Sequence, residues 1–432
     1  MEDAKWGDSK GKYYTGDYLL QNLRIETGFI YDNDHQRTPD NISGTATELV
    51  SLYIKDGQIA QILKAEDVLP AVLKIECVDA KGQLLLPPFR DMHTHLDKTL
   101  YGLPWQAVAA NRKTVYDMIA YEQQIIPTLL ESSIERSTQL IERMQRYGTS
   151  FARSHFNIDP SSGMRSLAHL LRTLDGVKEC FDAELVAFPQ HGVFYTKSAD
   201  LLKEAASHPA VGYVGGVDPY GVDGHIEKVL DYTVGLAIDY DKGIDLHLHD
   251  GGSKGVETLQ YLIKLVEQNP LLKSKTYVSH AYVLSSLEEP ALEEIAQALA
   301  AARIGVVSAI PFGHGSELPV NALRACGVDL LVGTDNIQDH WSTFGSGSML
   351  EQVYFMARLY GWHTEFGLSR ALGYATGGLL PLSSDGARQW PMVGDKADFI
   401  LVKASVSAEA VARRAQVGAL AKKGRLRMFD ND

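Results

Sequence analysis

The 432-residue sequence is poor in cysteine, has no excess of positive charge and contains no long hydrophobic run. Its three cysteines (Cys77, Cys180 and Cys326) are too few and too widely spaced for a disulfide framework or a cysteine zinc site. The 54 acidic residues outnumber the 41 lysines and arginines, giving a formal net charge of −13, which argues against nucleic acid or an anionic membrane as a partner. No run approaches the roughly 18–20 apolar residues of a membrane span. The polar N-terminal residues lack the apolar core of a secretory signal, so we expect a cytoplasmic protein.

Both ends of the chain show short strand patterns. Residues 18–86 contain several apolar runs, and the Asp56-Gly57 pair between two of them predicts a hairpin. The C-terminal residues have the same character. Since neither end is long enough to bury a core alone, we expect residues 1–86 and 385–432 to combine into one small β-sandwich domain.

The middle of the chain, residues 87–384, alternates apolar β-type runs with amphipathic helical patterns in eight strand–helix units. The runs are apolar enough for strands buried on both faces. This pattern predicts an α/β fold in which a (β/α)8 TIM-type barrel carries its active site at the C-terminal ends of the strands. An open doubly wound sheet is the alternative, but no GxGxxG follows the first strand to support a dinucleotide site.

Histidine marks the predicted strand ends. A barrel brings these ends to one mouth, so residues far apart in sequence can meet there. Nine of the 14 histidines lie at or just beyond a strand end: His93, His95, His155, His191, His247, His249, His280, His314 and His340.

The His93-Thr94-His95 segment is the strongest indication of a metal site. Residues i and i+2 of a strand face the same side, so both imidazoles can project into the barrel mouth. His247 on the fifth strand, His280 on the sixth and Asp335 on the eighth would complete a nitrogen-rich ligand set. Such a set suits a divalent transition metal rather than calcium or magnesium.

The predicted metal indicates hydrolysis. A divalent metal lowers the pKa of water so that hydroxide forms near neutral pH, and it polarises an electrophilic carbon. Asp335 can accept the proton of the water, and His280 can orient the nucleophile. Asp250, three residues after His247, is the candidate that protonates a leaving nitrogen.

Four motifs, HTHLDK, DLHLHD, VSHAYVL and GTDNIQDHW, resemble those of the amidohydrolase superfamily in their order and strand positions. More narrowly, they resemble the cytosine deaminase-like branch, which includes s-triazine enzymes such as N-isopropylammelide amidohydrolase. The resemblance implies one zinc or iron ion. It also implies the following site residues: His93, His95, His247 and Asp335 on the metal, Gln190 on the amide edge of a pyrimidine-like ring, and Trp341 as an aromatic wall.

Two positions depart from the branch. Asp250 stands where cytosine deaminase has a proton-shuttling glutamate, one methylene longer, so a deeper substrate, a water or a histidine such as His249 would have to compensate. Asn336 stands where the branch has a second aspartate, and an amide donates as well as accepts hydrogen bonds. Both changes concern the substrate rather than the metal chemistry.

The sequence therefore predicts a mononuclear metal-dependent hydrolase that deaminates a small amino-substituted nitrogen heterocycle, with Gln190, Asn336 and Trp341 contacting the ring. Hydrolysis of a cyclic amide or of an N-alkylamino substituent, as in s-triazine degradation, is the chemical alternative. A metal-free barrel scaffold is the alternative of another class. The resemblance also allows a homo-oligomer.

Overall fold

The computed structural model describes residues 11–33, 35–64, 67, 75–111, 114–311 and 316–429. Its strands form two sheets, one built from both chain ends and one from the middle of the chain. In chain order the strands are β1 (Gly11–Tyr14), β2 (Tyr18–Tyr31), β3 (Ile42–Lys55), β4 (Gln58–Lys64), β5 (Glu76–Asp79), β6 (Leu84–Leu86), β7 (Phe89–Thr94), β8 (Thr149–Asn157), β9 (Asp182–Phe188), β10 (Val211–Val217), β11 (Gly243–His247), β12 (Thr276–Ser279), β13 (Ile304–Ser308), β14 (Leu330–Val332), β15 (Phe399–Val402), β16 (Val417–Lys422) and β17 (Arg425–Phe429).

The middle sheet is a nearly closed barrel of eight parallel strands in the order β7 to β14. A bridge between Thr94 and Asp335 returns the chain after β14 to β7, and the Asp335 N–H donates to the His93 carbonyl at 2.7 Å. Gly333 permits this approach, because a Cβ there would lie 2.4 Å from the His93 backbone nitrogen. Strands β8, β11 and β13 are buried along their whole length, as expected of parallel strands covered on both faces. The predicted barrel is confirmed.

At least one helix follows each of the eight barrel strands, and one more lies between two strands of the other sheet. The helices are α1 (Val115–Leu130), α2 (Ser133–Arg146), α3 (Arg165–Val177), α4 (Ala199–Ser207), α5 (Ile226–Asp239), α6 (Gly252–Gln268), α7 (Glu289–Ala302), α8 (Val320–Ala325), α9 (Met349–Leu359), α10 (Glu365–Ala371), α11 (Gly373–Thr376) and α12 (Ser407–Arg413). The amphipathic patterns of the sequence form α2, α4, α6 and α7. None of the helices in the described part of the chain has both the length and the apolar character needed to span a membrane.

Helix α1 is an addition that the periodicity did not predict. The run from Leu129 to Arg146 has the pattern of one amphipathic helix, but the structure ends α1 at Leu130 and starts α2 at Ser133. A capping box begins α1, since the Thr114 side chain accepts from the Asp117 N–H and the Asp117 side chain accepts from the Thr114 N–H. This extra helix lies between β7 and α2, beside the barrel mouth.

The second sheet combines both chain ends in the order β1-β17-β16-β15-β6-β2-β3-β4, with β5 paired to β2. The Asp56-Gly57 hairpin is confirmed, and both residues have the positive φ angles (50° and 72°) that tight hairpin turns require. Leu52 of β3, Leu401 of β15 and Leu426 of β17 belong to one buried cluster. The sheet therefore curves over a core of its own, built jointly by the two ends of the chain.

Candidate active site

The strand ends of the barrel bring five predicted site residues together. The ligand atoms of His93, His247, His280 and Asp335 lie within 4.8 Å of one another. His95 joins them, with its Nε2 atom 3.2 Å from Asp335 Oδ1, while His93 Nε2 lies 3.3 Å from the same oxygen. We call these five residues the histidine–aspartate cluster.

The backbone at two of these positions is in an unusual conformation. His280 and Asp335 follow the last residues of β12 and β14 with φ angles of 69° and 58°. Residues other than glycine rarely adopt this left-handed region, and it persists where the surrounding structure fixes it, often at functional sites. In this protein the left-handed conformation turns the side chains of His280 and Asp335 toward His93 and His247.

Hydrogen bonds behind the cluster fix the orientation of His93. Its Nδ1 atom lies 2.9 Å from Ser279 Oγ, which donates to Asp245 Oδ1 at 2.7 Å. Since the hydroxyl hydrogen is used on Asp245, His93 Nδ1 must donate to Ser279, which leaves the lone pair of Nε2 facing Asp335. Arg153 Nη1 donates to the other oxygen of Asp245 at 3.2 Å. This arrangement is typical of the groups that orient metal-binding histidines.

Burial and charge give the cluster the protonation states that bind cations. Burial lowers the pKa of His247 and His280 well below the ordinary value, and neighbouring rings add to the effect. For His95, burial and the Lys98 charge act in the same direction. Burial opposes ionisation of Asp335, but His280, together with His93 and His95, lowers its pKa well below the usual range. Neutral imidazoles at His95, His247 and His280 and an ionised carboxylate at Asp335 result.

The unpartnered atoms of the cluster fit a metal ion. Both ring nitrogens of buried His247 and the Nε2 atom of His93 have no hydrogen-bond partner in the described structure. The His247 ring is held by Phe188, whose ring stacks on it at 4.0 Å. Buried polar atoms without partners cost free energy unless a ligand satisfies them. A set of nitrogen donors with one carboxylate suits a divalent transition metal.

A cavity of about 380 Å³ opens onto the cluster. This volume is near the low end for ligand pockets, which suits a molecule of one or two rings. Its wall includes Gln190, Asn336 and Trp341, the three side chains predicted to contact the substrate, and α1 contributes Val115 and Met118.

The amide groups of two wall residues are oriented by fixed partners. Lys98 Nζ donates to the Oε1 atom of Gln190, so the Gln190 amide nitrogen is left to donate. Asn336 Nδ2 donates to Asp339 Oδ2 at 2.5 Å, which leaves the Asn336 carbonyl oxygen to accept. Asp339 also accepts the Trp341 backbone N–H at 2.8 Å and so shapes the loop after β14.

Asp250 lies outside the cavity wall. Its Oδ2 atom accepts from the Gly221 N–H at 3.0 Å, and its carboxylate is so close to Gly221 that a Cβ there would lie 2.3 Å from Oδ1. The neighbouring His249 does line the cavity, with Nδ1 2.8 Å from Asp218 Oδ2. Asp218 also accepts the backbone N–H groups of His249 and Asp250.

The sequence reasoning missed Asp218. It ends the fourth predicted strand (VGYVGGVD), so its position at a strand end was the available indication, but nothing local identified His249 as its partner. Among the other histidines, His155 is buried 4.2 Å from the His93 ring, whereas His191 and His340 contact Glu122. His314, one of the nine histidines predicted at strand ends, lies outside the described residues.

Comparison with known proteins gives relatives over nearly the whole chain. The chain is 43% identical over 412 residues to the uncharacterized protein YahJ of Escherichia coli (strain K12), covering 95% of this chain and 87% of YahJ. It is 27% identical over 384 residues to N-isopropylammelide isopropyl amidohydrolase of Pseudomonas sp. (strain ADP), covering 86% and 92% of the two chains. No protein-family model matches.

A solved structure agrees with these sequence relatives. The N-isopropylammelide isopropylaminohydrolase of Burkholderia multivorans superimposes with a TM-score of 0.80 at 27% identity, covering 95% of this chain and 98% of that one. The chain belongs to the amidohydrolase superfamily. Its histidine–aspartate cluster lies at the strand ends, where the barrel fold places active sites.

Proposed function

We propose that the protein is a mononuclear metal-dependent hydrolase that cleaves the bond between a ring carbon and an exocyclic nitrogen of a small oxo-substituted heterocycle, releasing ammonia or an amine. The observation that carries this proposal is the histidine–aspartate cluster at one end of a cavity whose wall holds two oriented amides. The family membership agrees with hydrolysis of a carbon–nitrogen bond.

His93, His95, His247 and Asp335 would hold the metal. When bound, a divalent transition metal lowers the pKa of water and polarises the electrophilic carbon. Asp335 is ionised and lies within 4.0 Å of His280 Nε2, so these two residues can accept and pass on the proton of an attacking water.

The leaving nitrogen needs a proton, and His249 is better placed than Asp250 to deliver it. The His249 ring lies 4.5 Å from the His280 ring and lines the cavity. With Nδ1 bonded to Asp218, its Nε2 atom is the one free to hold a proton toward a substrate. Desolvation lowers the pKa of His249, but the Asp218 carboxylate, together with the charges of Asp335 and Asp250, raises it, so the net pKa is above the ordinary value.

The orientations of the Gln190 and Asn336 side-chain amides predict which edge of the substrate ring is recognised. The Gln190 amide nitrogen donates and therefore suits an oxo group, while the Asn336 carbonyl accepts and suits a ring N–H. A lactam edge, –C(=O)–NH–, offers this pair of groups. Oxo-pyrimidines and hydroxy-s-triazines both carry it.

Release of an alkylamine is a second candidate, favoured by the apolar side of the cavity. Val115, Met118 and Phe188 could pack against an N-alkyl substituent, and N-isopropylammelide, the substrate named for two relatives, carries one. An unsubstituted amino group on the ring would leave this surface without a contact.

A screen for ammonia and amine release tests the proposal. Protein reconstituted with zinc or with iron is incubated with cytosine, isocytosine, creatinine, aminopterins, aminotriazines and N-isopropylammelide. We expect turnover of at least one oxo-substituted ring, at one metal per chain. Less than a tenth of an equivalent of metal after reconstitution, or no release from any ring, would contradict the proposal and favour the scaffold alternative.

A further inference from the structure

A carboxylate that the proposed chemistry does not use lies beside the cavity. Glu122 is in the middle of α1 and is fully buried. It follows Met118 by four residues, which places both on the same face of the helix, and Met118 lines the cavity. The helix therefore presents an apolar wall residue and an acid to the same side of the barrel mouth.

Three ring N–H groups converge on this acid. His191 Nε2 lies 2.8 Å from Glu122 Oε2, while His340 Nε2 and Trp341 Nε1 lie 2.5 and 2.9 Å from Oε1. An ionised carboxylate only accepts, so each of the three nitrogens is the donor. His191 belongs to the loop after β9, and the other two belong to the loop after β14. One side chain thus connects α1 to two loops that carry wall residues.

The acid also neutralises a buried ammonium group. Lys98 is 3% exposed, and its Nζ atom lies 3.8 Å from Glu122 Oε1. Burial raises the pKa of Glu122, but Lys98, His340 and His191 lower it well below its usual range, so it is ionised. A buried ammonium without such a partner carries a large desolvation cost. We call Glu122, Lys98, His191, His340 and Trp341 the Glu122 network.

We propose that Glu122 is a positioning residue for substrate: it holds the Trp341 indole directly and holds Gln190 through Lys98, so that two substrate-contacting side chains depend on one buried carboxylate. The inference rests on the proposed function, because it takes the cavity lined by Gln190 and Trp341 as the substrate pocket. It predicts an effect on ring binding and little effect on the metal.

A first experiment needs no substrate. The protein has five tryptophans, and the indole N–H resonance of Trp341 is assigned in a ¹⁵N spectrum by its loss in Trp341→Phe. Glu122→Gln replaces the charged acceptor with a neutral one, so we expect this resonance to move upfield, since hydrogen bonds to charged acceptors are the stronger ones. Glu131→Gln, an exposed acid just beyond the end of the same helix, should leave it unchanged. An unmoved Trp341 resonance in Glu122→Gln would overturn the proposal.

A second experiment separates binding from chemistry. Steady-state kinetics with N-isopropylammelide and cytosine compare zinc-loaded wild type, Glu122→Gln and Glu131→Gln. For a ring that is turned over, we expect Glu122→Gln to raise KM by about tenfold or more, the factor that follows from losing a charge-assisted hydrogen bond. We expect kcat and metal content to stay close to those of the wild type. An unchanged KM, or a loss confined to kcat, would contradict a positioning role.

A double variant guards against simple misfolding. Glu122→Gln leaves Lys98 unpaired, which could unfold the protein. The double variant Glu122→Gln/Lys98→Met removes both buried charges. In this double variant we again expect an upfield shift of the Trp341 resonance and a raised KM. If the wild type turns over none of the rings in the screen, the proposed function fails, while the indole shift still decides whether Glu122 holds Trp341.

Discussion

The barrel mouth holds two groups of histidines whose ring nitrogens face carboxylates at different distances. In the histidine–aspartate cluster, the Nε2 atoms of His93, His95 and His280 lie 3.2–4.0 Å from Asp335, and both nitrogens of His247 are unpartnered. In the Glu122 network, three ring N–H groups donate to one carboxylate at 2.5–2.9 Å. The histidine–aspartate cluster therefore has ring nitrogens without partners that can bind a cation. In the Glu122 network, the ring N–H groups already donate hydrogen bonds to the carboxylate.

This difference shows that the position of a histidine at a strand end does not decide its role. His191 and His340 lie in the loops after β9 and β14, as the candidate ligand Asp335 lies in the loop after β14, yet each of the two histidines donates a ring N–H to the buried Glu122. What separates the two groups is whether a carboxylate is near enough to accept that hydrogen. We therefore expect variants of the two groups to differ in metal content, turnover and stability.

Removing a ligand should have the largest effect. We expect His93→Ala to lose the metal and to reduce turnover about a thousandfold or more, because a catalytic metal contributes several kcal/mol and each 1.4 kcal/mol is tenfold. Metal analysis and amine release measure both losses, and circular dichroism checks that the barrel is folded. His363→Ala, at an exposed position, is the control. Retained metal or turnover would show that His93 is not a ligand.

The proton donor should have the next largest effect. We expect His249→Asn to lower kcat by about 10²–10⁴, the usual contribution of general acid–base catalysis. Asp250→Asn should leave kcat nearly unchanged, because the carboxylate of Asp250 faces the Gly221 N–H rather than the cavity. The opposite ranking in steady-state kinetics would favour Asp250, the donor expected from the sequence.

Ser279→Ala tests the support behind His93. Loss of the hydroxyl between His93 and Asp245 should weaken zinc affinity by about 10–100-fold, as for other groups that orient metal ligands. Competition with a chelator measures the affinity, and kcat at saturating zinc should change less. The exposed Ser286→Ala variant is the matched control. Equal affinities in the two variants would rule out this role.

A variant in the Glu122 network should affect stability and leave the metal in place. His340→Phe keeps an aromatic ring and removes one N–H donor to Glu122, so we expect a loss of about 1–3 kcal/mol in the free energy of unfolding. Urea denaturation measures this loss, and metal analysis should still give one equivalent. A variant without metal would mean that the two groups of histidines act as one site.

The fold was largely predictable because its determinants are local. Barrel strands such as β10 (VGYVGGV) and β14 (LLV) are short apolar runs, and the Asp56-Gly57 turn is encoded in two adjacent residues. Helix α1 was missed since its run merges with that of α2, and the break at Glu131–Ser132 has no glycine or proline to mark it. The close approach between β7 and the segment after β14 depends on Gly333. Its close neighbour is the His93 backbone, which is distant in sequence, so no local pattern predicts this contact.

The sequence by itself determined the parallel barrel, the same-side projection of His93 and His95, and the order in which the other candidate ligands reach the mouth. These follow from a strand period of two and from the common direction of parallel strands. Only the tertiary structure decided that Asp250 turns to Gly221, that His249 pairs with Asp218, and that Glu122 of α1 collects three ring N–H groups. The physical reason is that a hydrogen-bond partner is chosen by distance in space, which loops and an inserted helix set, and no local pattern encodes those paths.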